Sequence, residues 1–558
     1  MAQRTVQQHE RTPAVAGGPP PPRVLARIAA SLAGGVLLYL AFPPIGLWFL
    51  APIGIASLTL AVRGLPARRA AWVGYLGAVA FLLPTLAWVR PIGDDAWLAL
   101  VAIESLFWGA LAAGAALVTR LRGWPLWVAA LWIAQEWLRG RFPVGGFPWA
   151  RVAFSQGDTP FTPYAALGGA PLVTFAVVLC GTLLAALLTA LAPRLPALAR
   201  RARPAGGTPP WPAACLSAGV VALPLVGSAV GYALPRQQGA PSGTVRVGVI
   251  QGDVPGRGMG FLGDQPAVVL RNHADETHEL ARAVREGRIA RPDIVIWPEN
   301  STDIDPYRDA YAREVIDAAV RDIGVPVLVG AVVRHPDGEH RMTRGIVWDP
   351  ASGPGAFYDK RRLVPFGEFV PFKDLLSKFI ARVNLVGLQS LAGTRDGDLK
   401  MGPVTVGAVE CYEVAFDDTV RSTVLTGATP IVVQTNNATY ALTNLPPQQL
   451  AMSQLRAVEH ARPVVIAATT GISAYIDPAG RVRWRTAERV KDMAVITVPL
   501  QTGRTLATRV GALPEWVLSL IGAGAVALAL ARRRAPGAEG GQGTRGPQDP
   551  EEPEEEDR

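Results

Sequence analysis

Charged residues, cysteines and cofactor-type motifs are all scarce in this chain. Only 18% of its 558 residues are charged, against 49% hydrophobic, and the mean hydropathy is +0.23. That balance suits a membrane protein with a sizeable soluble part. Of the three cysteines, Cys180 and Cys215 lie inside apolar stretches, which excludes a disulfide framework. There is no zinc-type spacing of Cys and His and no glycine loop of the kind that cradles phosphate, so no metal or cofactor is expected. The net charge of +9 is mostly arginine in short clusters beside apolar runs. Without a nucleic-acid motif, that pattern fits orientation in a bilayer and not a nucleic-acid surface.

What the chain does have is long apolar runs. Eight segments of membrane length are legible, at about 24–42, 46–62, 70–89, 96–118, 124–138, 162–192, 212–234 and 511–531. Arg63, Arg68 and Arg69 follow the second, Arg120 and Arg122 the fourth, Arg200 and Arg201 the sixth, and Arg532–Arg534 the eighth. By the positive-inside rule these loops and the N-terminal tail face the cytoplasm, and the long loop after segment seven lies outside. The organisation expected is a disordered tail 1–22, a seven-helix membrane domain 23–242, a catalytic domain 243–505, an eighth helix 506–534 and a disordered acidic tail 535–558. The N-terminal tail is too polar to be a signal peptide. Arg139, Arg141 and Arg151 break the charge pattern. Either they are tolerated on the outer side, or they meet lipid phosphates there.

Between segments seven and eight the pattern changes. Val245–Ile250, Asp293–Trp297, Val327–Gly330, Val404–Val409, Ile431–Val433 and Val464–Ile466 read as strands, with helices at 265–287, 308–322 and 446–461. This alternation argues for one α/β domain. Cys411 ends the strand Val404–Val409 and precedes a helix read as Glu413–Leu425, where the positive end of the helix would favour a thiolate. A lone cysteine is more often a small buried hydrophobe, so the assignment needs support. Glu299 follows the strand ending at Trp297, and Lys360 precedes the apolar, proline-bounded run Leu363–Pro371, which contains Glu368. Together, Glu299 to take the thiol proton, Lys360 to hold an oxyanion and Cys411 to attack a carbonyl make a coherent nucleophilic site.

This order resembles the nitrilase superfamily of carbon–nitrogen hydrolases, whose triad is Glu, Lys and Cys. The resemblance implies that the backbone N–H of Tyr412 completes the oxyanion hole. With the membrane segments included, the chain resembles the apolipoprotein N-acyltransferase family across about residues 24–531. The motifs are Glu136-Trp137-Leu138-Arg139, Gly146-Phe147-Pro148-Trp149, Val364-Pro365-Phe366-Gly367-Glu368-Phe369-Val370-Pro371 and Cys411-Tyr412-Glu413.

The fold this implies is a polytopic α-helical membrane bundle carrying an extracytoplasmic α/β nitrilase-like αββα sandwich, in a bacterial cell membrane. The reaction it implies moves a fatty acyl chain from a phospholipid donor, through a thioester on Cys411, to the free α-amino group of a diacylglyceryl-apolipoprotein acceptor. Glu368, Tyr412, Glu413, Arg139 and Trp149 are the implied supporting or substrate-binding residues.

One departure concerns the arm after Gln251-Gly252. Family members often carry a tryptophan there; this chain has none, and Phe261 is the candidate substitute. Residues 371–386 place Phe372, Leu375, Leu376, Phe379, Ile380 and Val383 at helical spacing. Their helix either packs on its own domain or meets the bilayer or the acyl chain. Two rival functions use the same residues: a membrane-tethered amidase with water as acceptor, and a scaffold that has lost activity.

Overall fold

The computed structural model describes residues 22–192, 212–237, 241–256, 267–378 and 387–534. Phe261, residues 379–386 of the amphipathic stretch, and both tails apart from Pro22 lie outside the described residues. Helices occupy all eight apolar segments. The first seven are α1 (Pro22–Ala41), α2 (Leu50–Val62), α3 (Ala67–Thr85), α4 (Asp94–Val118), α5 (Trp124–Arg139), α6 (Ala165–Leu191) and α7 (Ala213–Gln237). The eighth segment is the helix Leu513–Arg534. Among the described residues, five helices are long and apolar enough to cross a membrane: α1, α4, α6, α7 and the last. The segment α5 has 16 residues, about 24 Å of helix, which is short of a ~30 Å hydrocarbon core. Trp72, Leu106, Leu225 and Leu520 stand exposed on the outer helix faces, as side chains in contact with lipid do. The chain is a membrane protein.

The region after α7 is a four-layer sandwich. Its strands are β1 (Thr244–Gln251), β2 (Ile294–Ile296), β3 (Val327–Arg334), β4 (His340–Asp349), β5 (Gly353–Asp359), β6 (Gln389–Ser390), β7 (Asp398–Met401), β8 (Val404–Glu410), β9 (Ile431–Thr435), β10 (Val464–Ala468), β11 (Ala474–Ile476), β12 (Val482–Arg485) and β13 (Asp492–Pro499). One sheet runs β13-β1-β2-β3-β4-β5 with β6 on β4, and the other β12-β11-β10-β9-β8-β7.

Alternation decides the layers. Val245, Val247 and Val249 of β1 pack with Val404, Val406, Val432 and Val465 between the sheets, while Ile250 turns to the helix side. There α8 (Val268–Arg285) and α9 (Ala310–Ile323) cover the first sheet. The Asp309 side chain accepts from the Ala312 N–H at 2.8 Å to start α9, and Gly324 at φ +68° ends it. A short turn, α10 (Lys373–Leu376), is the described part of the amphipathic stretch, and Phe372 and Leu375 beside it are exposed. On the second sheet lie α11 (Asp417–Leu425) and α12 (Leu445–His460), then α13 (Leu506–Val510) leads into α14, the helix Leu513–Arg534.

The expected unbroken helix from Glu413 does not form. Cys411–Ala415 is a 3-10 turn, and Phe416 is extended (φ −99°, ψ 118°) before α11 begins. The Glu413 carboxylate accepts the backbone N–H of Glu410 at 2.8 Å, half of a capping box that starts the short turn, and the break lies at Phe416.

The second sheet rests directly on the membrane helices. A single apolar core runs from Phe42, Phe81 and Trp108 through Trp149 to Tyr412, Leu455 and Ile466. Two of the three anomalous arginines are built into this junction and are withdrawn from lipid. Arg139 is buried against Glu104 (3.0 Å) and donates to the carbonyls of Phe147 (3.1 Å) and Trp149 (2.6 Å). Arg151 is buried between Asp417 (2.9 Å) and Glu136 (3.6 Å). Arg141 is more open and pairs with Glu515 at 2.7 Å. A buried guanidinium requires such partners, which the sequence spacing alone does not show.

Candidate active site

Strand ends bring the expected triad together. Glu299 follows β2, Lys360 follows β5 and Cys411 follows β8, so three strands from two sheets deliver their ends to one place. Glu299 and Lys360 are buried, and Cys411 is partly exposed. Lys360 Nζ donates to Glu299 Oε1 and to Glu368 Oε1, each at 2.8 Å. The other oxygen of Glu299 accepts the backbone N–H of Asn436 at 2.9 Å. Glu368 is fixed in turn by the Val364 N–H (2.7 Å) and the Thr343 hydroxyl (3.3 Å).

Cys411 itself sits at φ +47°, a left-handed conformation costly for a residue with a Cβ. This strained elbow turns the thiol out of the strand line.

The electrostatics oppose a resting thiolate. Burial, reinforced by the charge of Glu299, pushes the Cys411 thiol up to about 12, while Lys360, Thr435 and Gln449 pull the other way. Burial disfavours the Lys360 ammonium, but the charges of Glu299 and Glu368 outweigh it and hold its pKa well above the usual lysine value. Burial raises Glu299, and Lys360 partly offsets that. A raised thiol next to a carboxylate that is itself raised is an arrangement suited to passing a proton between them. The helix-end activation expected from sequence is therefore not the dominant influence.

Two residues at the sulfur, and a third behind them, carry no sequence mark. The Thr435 hydroxyl lies 3.2 Å from Sγ and Gln449 Nε2 lies 3.6 Å from it. Asn437 Nδ2 donates to Gln449 Oε1 at 3.2 Å, which fixes the amide with its nitrogen toward sulfur. These residues stand in a strand end, a turn and a helix, and only the packing of α12 on β9 assembles them. Gln449→Ala is expected to slow alkylation of Cys411 by iodoacetamide roughly tenfold at fixed pH, the loss of one hydrogen bond to a charged group. An unchanged rate–pH curve would remove Gln449 from the thiolate's surroundings.

Supporting residues divide by what they touch. The carboxylate of Glu413 accepts from the Tyr358 hydroxyl (2.9 Å) and from the N–H groups of Arg361 (2.6 Å), Arg362 (3.0 Å) and Glu410 (2.8 Å), which pins the turn after the nucleophile to the Lys360 strand end. The ring of Tyr412 stacks on Trp149 (6.0 Å, 13°) and Phe147 (6.2 Å, 26°). Trp149 donates to Gln448 at 2.7 Å. Arg139 holds the carbonyls of this aromatic loop, so it reaches the site only through Trp149 and Tyr412.

The pattern for the apolipoprotein N-acyltransferase N-terminal domain matches residues 34–183, and that for carbon-nitrogen hydrolases matches residues 272–508. A solved amidase from Nesterenkonia sp. aligns with 48% of this chain and 95% of its own at 19% identity, with a TM-score of 0.34, too low to bear on the reaction. The apolipoprotein N-acyltransferase of Azotobacter vinelandii is 30% identical, covering 91% of this chain and 95% of that protein. That of Mycolicibacterium smegmatis is 40% identical over 515 residues, 90% of this chain and 85% of that protein. These relatives do not favour the amidase or scaffold readings. With such identity over nearly its whole length, the chain belongs to the apolipoprotein N-acyltransferase family.

Proposed function

We propose that Cys411 carries a fatty acyl chain between a phospholipid and the α-amino group of a diacylglyceryl-cysteine at a lipoprotein's N-terminus. The observation that carries the mechanism is the hydrogen-bonded Glu299–Lys360–Glu368 chain at the strand ends where Cys411 stands. In the first step Glu299 takes the Sγ proton as sulfur bonds to the ester carbonyl carbon. Charge develops on the carbonyl oxygen, facing the Lys360 ammonium and the N–H of Tyr412. Collapse breaks the C–O bond to glycerol, Glu299 returns the proton to the leaving oxygen, and a lysophospholipid departs. In the second step the neutral amine attacks the thioester, Glu299 takes its proton, and as the C–S bond breaks Glu299 passes that proton to sulfur, which gives the amide and the free thiol. An α-amino group of pKa about 8 is only partly neutral at pH 7, so the base is needed twice.

Eight crossings with the catalytic domain on the outer face are the topology we infer, because the arginine-rich loops then share the cytoplasmic side. The short α2 and α5 fit a locally thinned bilayer.

Intact-mass analysis after incubation with phospholipid tests the reading. Wild type is expected to gain one acyl chain, removable by hydroxylamine and discharged by a diacylglyceryl peptide with a free N-terminus, and Cys411→Ala is expected to gain none. Discharge by water alone would make the protein a hydrolase.

A further inference from the structure

The catalytic centre crowds four carboxyl groups, those of Glu299, Glu368, Glu410 and Glu413, around one ammonium, that of Lys360. All but Glu368 are buried throughout, and Glu368 largely so. Even counting the partly buried guanidiniums of Arg341 near Glu368 and Arg361 near Glu413, the carboxylates outnumber the cations, which favours a proton on one carboxyl. The hydrogen bonds say which. Glu299 accepts from Lys360 and the Asn436 N–H. Glu368 accepts from Lys360, Thr343 and the Val364 N–H. Burial raises Glu413 too, but a phenol and three backbone N–H groups hold its ionised form.

Glu410 is different. It is 0% exposed, its carboxyl reaches toward the Glu413 N–H, and neither of its oxygens closes a well-formed hydrogen bond. Its register partner on β9 is Gln434. Gln434 gives its amide N–H to the Trp297 carbonyl at 2.6 Å, which leaves its oxygen buried and without a donor. Both side chains close over the bare backbone of Gly345 on β4, where an added Cβ would lie 2.7 Å from Gln434 Oε1 and 3.1 Å from Glu410 Oε1. An acceptor lacking a donor thus faces a carboxyl whose one neighbour on the backbone is the Glu413 N–H, which can serve only one of its two oxygens.

We propose that Glu410 is the protonated acid of this cluster at neutral pH, with its O–H directed to Gln434. Burial and the charge of Glu299 both push its pKa well above the ordinary glutamate value, consistent with that placement. The remaining groups that face it are Lys360, Glu413 and Glu368. A second negative charge here would drive Glu299 to hold its own proton and lose its capacity as base. Glu410 is therefore a positioning residue that acts through Glu299 and touches no reacting atom. This consequence rests on Glu299 being the base, whereas the proton on Glu410 does not.

Two measurements on the full-length protein in detergent separate these points. In the infrared difference between wild type and Glu410→Gln at pH 7, a protonated-carboxyl carbonyl band is expected in the wild type and lost in the variant. The acid limb of kcat/KM is expected to stay in place, since one neutral donor replaces another. Absence of the band overturns the assignment of the proton. An acid limb displaced downward by about one pH unit, as removal of a charge beside Glu299 would cause, also overturns it. Should the glutamine variant fail to accumulate, Glu410→Met serves in both measurements. A band present with no acid limb in any variant would leave the proton on Glu410 and remove Glu299 as the base.

Discussion

Lys360→Met is expected to reduce acyl-enzyme formation by about 10³-fold or more while leaving the sandwich folded. Two functions disappear together. The ammonium that faces the developing oxyanion is gone, and removal of one such donor costs 10²–10³-fold. The carboxylates of Glu299 and Glu368 also lose the cation they share at 2.8 Å each. Burial already raises Glu299, and without Lys360 it takes up a proton at neutral pH, so general-base catalysis worth about 10²–10⁴-fold fails as well. Lys360→Arg is not expected to rescue, because a planar fork cannot replace a point charge held between two carboxylates. Single-turnover acylation followed by intact mass reads the effect. A rate within tenfold of wild type would remove the ammonium from the transition state.

Arg456→Met is expected to destabilise the protein by roughly 3–5 kcal/mol, the range for breaking a buried ion pair by removing one partner. Arg456 is wholly buried. It donates to the carbonyls of Val414 (2.9 Å) and Ala415 (3.1 Å), to Asp417 (2.6 Å) and to Glu459. Those carbonyls belong to the turn that begins with Cys411. Asp417 in turn binds Arg151 from the membrane part, so one guanidinium ties the nucleophile's turn to the bilayer-facing half. Its loss is expected to lower the apparent melting temperature in detergent and to slow acylation by about 10²-fold, the cost of misplacing a reacting group by about 1 Å. A fall in stability without a change in acylation rate would confine Arg456 to a packing role.

Legibility in the sequence followed physical type. Continuous apolar strands such as Ile294–Ile296 and Val464–Ala468 stand out because both faces are buried. The polar hairpin β4–β5 does not, since His340, Arg341, Arg344 and Asp359 interrupt its pattern. Glu299 and Cys411 stand out at the ends of apolar runs, while Lys360 follows no legible strand and enters through its combination with them and the family resemblance. Thr435, Gln449 and Gln434 do not stand out, because their roles come from register between β8 and β9 and from the packing of α12. A helix end was expected to lower the Cys411 thiol pKa, whereas burial among carboxylates raises it.

The pairing of β1 has a consequence for the order of assembly. Its partner on one side, β2, is made soon after it, but along its other edge it pairs residue for residue with β13, from Thr244 opposite Pro499 to Gln251 opposite Asp492. Partners separated by roughly 250 residues make a slow, high-contact-order closure. At ~5–20 residues per second of synthesis, that edge waits roughly 10–50 s for its complement. Through this interval a nascent sheet anchored by α7 presents an open hydrogen-bonding edge beside the bilayer. The last strand to emerge thus seals the first.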